Sequence, residues 1–363
     1  MKKTILSALI AVFSFVTQVT AQSSILATLH HNGEIKTFYG TSAFSEANKA
    51  ASDGDVITLS GGTFNAPTDT ITKAITVRGA GMELDTLNNI EPTIINGALS
   101  LNIPESAASK FILEAIYLDT IRYCGTLKSP QFIKSRIDYV NSISINDKIV
   151  DAQFLHCIIS HYFSLSPNSS ATLVSCYVKN PSCINSKNSN FELQNCVIYI
   201  TTPNYIENSL IRNSIIIYVN GGGNSDNKDY YALPQTTVAY NCVGVWTGKS
   251  GYIYGNSPGY LFVFQTNTSN TELTKRTSST KIFKNWNFYS VDYLQNFKDT
   301  RLELAESFKS KYKGTDGTEV GIYGGKLPFD AVSTNPRITK CEVDGKTTAD
   351  GKLSIKVEVN GKN

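Results

Sequence analysis

Phe154-Leu155-His156-Cys157-Ile158-Ile159 and Leu173-Val174-Ser175-Cys176-Tyr177-Val178 are two copies of one pattern. A large apolar residue is followed, three positions on, by a small one, and two positions later by another apolar residue. The pattern recurs at Phe132-Ile133-Lys134-Ser135-Arg136-Ile137, Leu193-Gln194-Asn195-Cys196-Val197-Ile198 and Ile211-Arg212-Asn213-Ser214-Ile215-Ile216. Weaker copies lie at Ile112 to Tyr117 and at Ala239 to Gly244. The small residues are then Ala115, Ser135, Cys157, Cys176, Cys196, Ser214 and Cys242, at intervals of 20, 22, 19, 20, 18 and 28. A period near 20 built from short β-branched segments predicts a coil of strands, one turn per repeat.

The pattern also predicts which side chains point inward. Strict alternation cannot bury both the large residue (position −3) and the small one (position 0), because an odd step separates them. A bend between them must reset the parity. Position −1 is Asn195, Asn213 and Asn241 in three copies, and Asn tolerates the left-handed backbone such a bend needs. Positions −3, 0 and +2 are therefore expected inside. Position +1 (Ile116, Arg136, Ile158, Tyr177, Val197, Ile215, Val243) and position +3 are expected outside. The +1 column is unusually apolar for a solvent face. Either a long loop or the C-terminal segment lies over it, or β-branched residues simply suit a strand, or it is an exposed ligand or partner surface.

Four of the seven cysteines occupy position 0. In register they would stand about 4.8 Å apart, one strand spacing, which disulfide geometry allows. Ala and Ser take the same position, so the reading favours buried thiols acting as small apolar residues, with a bridge left open. No His or acid accompanies a Cys at a repeated offset, which argues against a catalytic thiol.

Met1 to Ala21 has the features of a secretory signal: Lys2-Lys3, an apolar run from Ile5 to Val16, and small residues at Val19-Thr20-Ala21. The apolar run is too short to span a bilayer, and no later segment reads as transmembrane. The expectation is a protein that is secreted, periplasmic or at the cell surface after cleavage near Ala21. Charged residues are only 17% of the chain and the net charge is +3, two units of which come from Lys2 and Lys3. There is no basic stripe to neutralise a phosphate backbone, which argues against nucleic acid.

The chain before the repeats reads as strands around Asn32-Gly33, then a helix over Ser42 to Ser52 with Ser42 as N-cap, ended by Asp53-Gly54-Asp55. Val56 to Leu59 and Ile71 to Val77 read as strands. An amphipathic helix before the first coil would cover the open end of a solenoid. Residues 45–64 (Ser-Glu-Ala-Asn-Lys-Ala-Ala-Ser-Asp-Gly-Asp-Val-Ile-Thr-Leu-Ser-Gly-Gly-Thr-Phe), with Ile71 to Gly81 ending in Arg-Gly-Ala-Gly, resemble the opening of secreted right-handed parallel β-helix proteins of the pectin-lyase-like superfamily, in a form similar to proteins of Bacteroides-type bacteria. Gly314-Thr315-Asp316-Gly317-Thr318-Glu319-Val320-Gly321-Ile322-Tyr323-Gly324-Gly325 resembles the motif that ends the last coil in that group. The resemblance implies an all-β, single-stranded right-handed parallel β-helix, and leaves activity open, since the superfamily holds lyases, hydrolases, adhesins and structural proteins.

The expected organisation is a signal over 1–21, a cap with the first coils over 22–100, repeats over 101–265, aromatic loops and a C-terminal cap over 266–333, and a hairpin-like β tail over 334–363. Two strands alone are marginal, so the tail should dock on the helix or on a partner. Asn220 to Asn227 reads as an inserted flexible loop; its glycines lack the Lys-Ser/Thr of a phosphate loop.

For chemistry, a lyase of this fold needs a base, an enolate-stabilising cation and often a carboxylate cluster for Ca²⁺. Lys134, Arg136 and His156 are the candidate catalytic residues, with Asp138 and His161 near them. Solvated strand charges explain them better. Carboxylates in the coils are sparse for a glycoside hydrolase. No metal or other cofactor is expected, with Ca²⁺ entering only if the protein is a lyase. Tyr177, Tyr199, Tyr218, Trp246 and Trp286 could present rings to a sugar face or a protein. The expectation is a secreted binding or surface protein without catalytic machinery, its partner a polysaccharide or a surface protein. The alternatives are a polysaccharide lyase or glycoside hydrolase acting on an acidic glycan, and a pure scaffold for the tail.

Overall fold

The computed structural model describes residues 25–86, 88–183, 188–200, 206–218, 236–246, 259–263, 276–279, 284, 302–310, 312–343, 351–352 and 354–360. The leader, the loop over 220–227 and Trp286 lie outside the described residues. The chain forms a β-solenoid of about eight turns. One parallel sheet runs from Val56–Leu59 through Thr76–Arg78, Ile112–Glu114, Gln131–Ile133, Ala152–Leu155, Ser170–Val174, Asn190–Gln194 and Leu210–Arg212 to Val238–Tyr240. The second runs from Gly62–Asn65 through Thr93–Leu101, Tyr117–Tyr123, Arg136–Ser142, Ile158–Ser164, Tyr177–Lys179, Val197–Ile200 and Ile215–Tyr218 to Val243–Trp246. Each repeat contributes one strand to each sheet.

The expected parity holds. At position −3, Phe132, Phe154, Leu173, Leu193 and Ile211 are fully buried, as are Ile137, Ile159, Val178, Ile198 and Ile216 at +2. Phe132 and Phe154 stack at 4.6 Å between ring centroids, one coil apart. Between −3 and 0 the backbone turns left-handed: φ is +48° at Lys134, +53° at His156, +50° at Ser175, +52° at Asn195, +51° at Asn213 and +48° at Asn241. Such φ values are uncommon outside glycine, with Asn, Asp and His the usual exceptions, so a Lys and a Ser in this column need compensation from elsewhere.

The first copy of the repeat is shifted by one residue from the sequence alignment. Leu113 pairs with Phe132 and Tyr117 with Arg136, so Ala115, at φ +58°, sits in the bend, and Ile116 fills the inner position. Ala115 is small for the bend, not for the core.

At position 0 the cysteines are free and buried. Each slot residue from Ser135 onward donates to the carbonyl two residues before it. Ser135 Oγ reaches Ile133 O at 2.9 Å, Cys157 Sγ reaches Leu155 O at 3.4 Å, Cys196 Sγ reaches Gln194 O at 3.3 Å, and Ser214 Oγ reaches Arg212 O at 2.7 Å. The slot therefore takes a small side chain that can also donate. Burial pushes the Cys196 and Cys242 thiols up to about 12, which keeps them protonated and unreactive.

At the start, Leu26–His31 and Glu34–Tyr39 form the expected hairpin about Asn32-Gly33, whose φ values are +49° and +83°, matching the turn that Asn-Gly favours. The helix spans Ala43–Ala50 and buries Ala43, Phe44 and Ala47 over the first coils. Ser42 stands at the N-cap, yet its hydroxyl donates to Glu46 Oε1 at 2.7 Å rather than capping the backbone. Beyond the last parallel coil, Gly259–Val263 and Arg276–Ser279 extend the second sheet with antiparallel strands.

A second left-handed column, which the repeat alignment does not contain, runs through Asn168, Asn188 and Asn208, each followed by a buried Ser. Ser169 N–H donates to Ser189 Oγ at 3.2 Å, and Asn188 Nδ2 to Asn168 Oδ1 at 3.1 Å. The same device, a left-handed Asn before a small hydrogen-bonding side chain, thus shapes two corners of the coil.

Candidate functional site

The bend column is where the C-terminal part of the chain returns. Residues 313–335 run along the outside of the solenoid, from the last parallel coil to the first, and bond to it turn by turn. Asn241 Nδ2 donates to Lys313 O at 3.2 Å. Asn213 Oδ1 accepts from Thr315 N–H at 2.9 Å, and its carbonyl accepts from Gly321 N–H at 2.8 Å. Ser175 Oγ donates to Leu327 O. Asp330 N–H donates to His156 Nδ1 at 2.9 Å. Lys134 Nζ donates to Asp330 Oδ2 at 2.9 Å and to Val332 O at 2.8 Å. Thr334 meets Glu114, and Asn335 Nδ2 donates to Gly79 O at 2.6 Å. The odd residues of the column, Lys134, His156 and Ser175, therefore each hold this strap by their side chains, as Asn213 and Asn241 do on the later coils.

The closing motif consequently does not end the last coil; it begins the strap. Its glycines are needed for close approach. At Gly321, φ is +91° and a Cβ would stand 2.7 Å from Ile215 Cδ1; at Gly325, φ is +80° and a Cβ would stand 2.8 Å from Asn195 Oδ1. Leu304, Tyr312, Val320 and Ile322 of the returning chain pack with Met82 on Ile158, Tyr177, Val197, Ile215 and Val243. The apolar +1 column is thus a covered core, not a ligand face.

The candidate catalytic residues divide in two. Lys134 and His156 come together, on neighbouring coils, under Asp330. The His156 ring lies 6.3 Å from that of Phe329, and Lys134 is only 8% exposed. Arg136 lies apart, its guanidinium carbon 4.8 Å from the Tyr117 ring centroid and its Nε 3.7 Å from Asp138 Oδ1. Asp138 accepts from Tyr117 Oη at 3.1 Å and from Ser160 Oγ. The Tyr117 phenol is raised, first by burial and then by Asp138.

A bulge sets this second group. Ile137 pairs with Ile159, but Tyr139 pairs with Tyr162, so Ser160 and His161 together face Asp138. His161 is thereby turned outward and stacks on Tyr139, 5.0 Å between centroids. Ser160, His161 and Asp138 do not form a nucleophilic triad. His161 Nδ1 faces both Ser160 Oγ, at 3.1 Å, and Asp138 Oδ1, at 3.7 Å, and Ser160 also bonds Asp138 directly. A triad needs the imidazole between the other two, using one nitrogen for each. Nor do the carboxylates suit Ca²⁺: among the described residues no three His, Cys, Asp or Glu are grouped to hold a metal.

Of the aromatic candidates, Tyr177 is 4% exposed beneath the returning chain, which removes it from any binding face. Tyr199 packs partly against the same cluster, with Lys179 Nζ 5.6 Å from its ring centroid. Of Tyr218 and Trp246 only the backbone is described, and Trp286 lies outside the described residues. Tyr139 and His161 face solvent and are not part of the strap's apolar cluster. Asp330 and Thr315, which complete the column, carry no local signal. The non-Asn residues in the bend were the available clue.

Among the described residues no helix is long and apolar enough to cross a membrane. A scan against protein-family models and searches of curated proteins and of solved structures found no match to this chain.

Proposed function

We propose that this chain is a secreted, pectin-lyase-like β-solenoid that serves as a binding or surface protein, with a glycan or a protein as its ligand, and performs no catalysis. The observation that carries the reading is the use of Lys134 and His156. The two basic side chains closest to a lyase pair are engaged by Asp330 on a strap of the same chain, with Lys134 nearly buried. The ligand face on this reading is the uncovered part of the second sheet around Tyr139, His161 and Tyr162, where aromatic edges stand among Arg122, Thr120 and Asn141. Such a mixture of rings and polar groups suits a sugar or a protein loop.

The test is binding across a panel of neutral and acidic polysaccharides, with the unsaturated uronate ultraviolet band followed on the same samples. Binding weakened several-fold by Tyr139→Ala, with unchanged unfolding and no ultraviolet signal, is the expected result. A product signal that disappears in a Lys134/Arg136 double variant that still folds would sink the proposal. One observation favours that second reading, a lyase or hydrolase on an acidic glycan: Arg136, Asp138, Ser160 and His161 converge on adjacent strands at a bulge, a device often found beside active sites.

A further inference from the structure

We propose that the strap is a pH-sensitive clasp with His156 as its latch. His156 Nδ1 accepts the Asp330 N–H at 2.9 Å, so this nitrogen carries no proton while the clasp is shut. Free imidazole titrates near ~6.5. Above that value the acceptor is present; as the pH falls through the titration of the ring, Nδ1 gains a proton and two N–H groups confront each other. The charged groups facing the latch work in the same direction or are already engaged. Lys134, one coil below, is cationic, and a second cation beside it is unfavourable. The Asp330 carboxylate accepts from Lys134 Nζ through Oδ2 and from Val332 N–H through Oδ1, at 2.9 and 3.0 Å. The Phe329 ring, 6.3 Å from the imidazole between centroids, does not titrate. Asn213 Oδ1 accepts the Thr315 N–H in the same way, but an amide oxygen does not titrate, so the latch at His156 alone can respond to pH.

The experiment is hydrogen exchange of the intact chain at pH 7.5 and pH 5.5, corrected for intrinsic exchange rates, with the coil over 190–200 as internal reference. Protection of 327–335 should fall on the order of tenfold at the lower pH, the value of one hydrogen bond together with its charge penalty. The reference coil should not change. His156→Asn supplies an amide oxygen that does not titrate, and should keep 327–335 equally protected at both values; His156→Gln covers the case in which Asn is too short. Equal protection of the wild-type strap at both pH values, including through recapture of the imidazolium by Asp330, would overturn the proposal. So would an unaltered response in both variants.

Discussion

Replacing Lys134 by Met separates the two roles this residue could have. Its ammonium donates to the Asp330 carboxylate at 2.9 Å and to Val332 O at 2.8 Å, and the two side chains of the ion pair are 10% and 25% exposed. Removing one member of a fully buried pair costs about 3–5 kcal/mol. Asp330 is a quarter exposed and keeps the Val332 N–H, so rehydration offsets part of this, and about 2–3 kcal/mol is expected here. Asp330→Asn should cost about 1–2 kcal/mol, since the amide can still accept but no longer offers a charge. The two changes together should cost less than their sum, by a coupling energy of about 1–2 kcal/mol. Lys134→Asn should recover up to about 1 kcal/mol relative to Met, because the bend holds φ at +48°. Urea unfolding of the wild type and the four variants, with exchange protection of 327–335 as a local readout, measures all of these terms. A Lys134→Met protein within 0.5 kcal/mol of wild type, on the order of measurement error, or a coupling energy of zero, would refute the view that Lys134 is there to hold the strap.

Three further outcomes follow from the same geometry. Gly324→Ala places a Cβ against the Glu319 carbonyl; it should open the turn that starts the strap and raise exchange over 313–335 while the coil core stays protected. Cys196→Ser should cost less than about 1 kcal/mol, because Ser135 and Ser214 already fill the slot with the same hydrogen bond, whereas Cys196→Leu should cost about 1–3 kcal/mol by overpacking. The thiol column predicts base sensitivity. Cys196 and Cys242 are raised to about 12 in the folded chain, above the ~8.5 of an unfolded thiol. Their contribution is complete below that lower value and is lost as pH rises toward the folded one, so the urea midpoint should decline between pH 8.5 and 11, and less steeply in a Cys196→Ser/Cys242→Ser variant.

The inward columns were legible in the sequence because side-chain size alternates with the coil, and burial reads size directly. Parity also located the bend, since an odd spacing between two buried positions leaves no other solution. The same reasoning misplaced Ala115, because smallness satisfies both an inner slot and a left-handed bend, and only strand pairing separates them. Asn168, Asn188 and Asn208 repeat at an interval of 20 but fall in a corner whose flanking strands vary, so no apolar framework drew the eye to them. The strap was beyond local reading. Its bonds join residues as far apart as 256 positions, and the apolar +1 column announced only that something covers it. On the site, the sequence singled out Lys134 and His156, and the structure joins both to Asp330, which has no neighbour in sequence that marks it.

The strap also sets how the molecule bears load. The chain leaves the last coil, travels back over the others and emerges at Pro336 beside Gly79, so the hairpin of Arg337–Val343 and Ile355–Asn360 hangs at the end where the first coils lie. Tension applied to that hairpin, against a body held at the far end roughly 40 Å away at about 4.8 Å per coil, pulls the strap along its own length. The bonds to Asn241, Asn213, Ser175, His156 and Lys134 are then strained in shear, all at once, rather than peeled one after another. Reversing the pull, by lifting residue 313 away from the last coil, would load them singly. A tether fixed at the tail therefore meets the strong direction of this seam, and rupture at the other end meets the weak one.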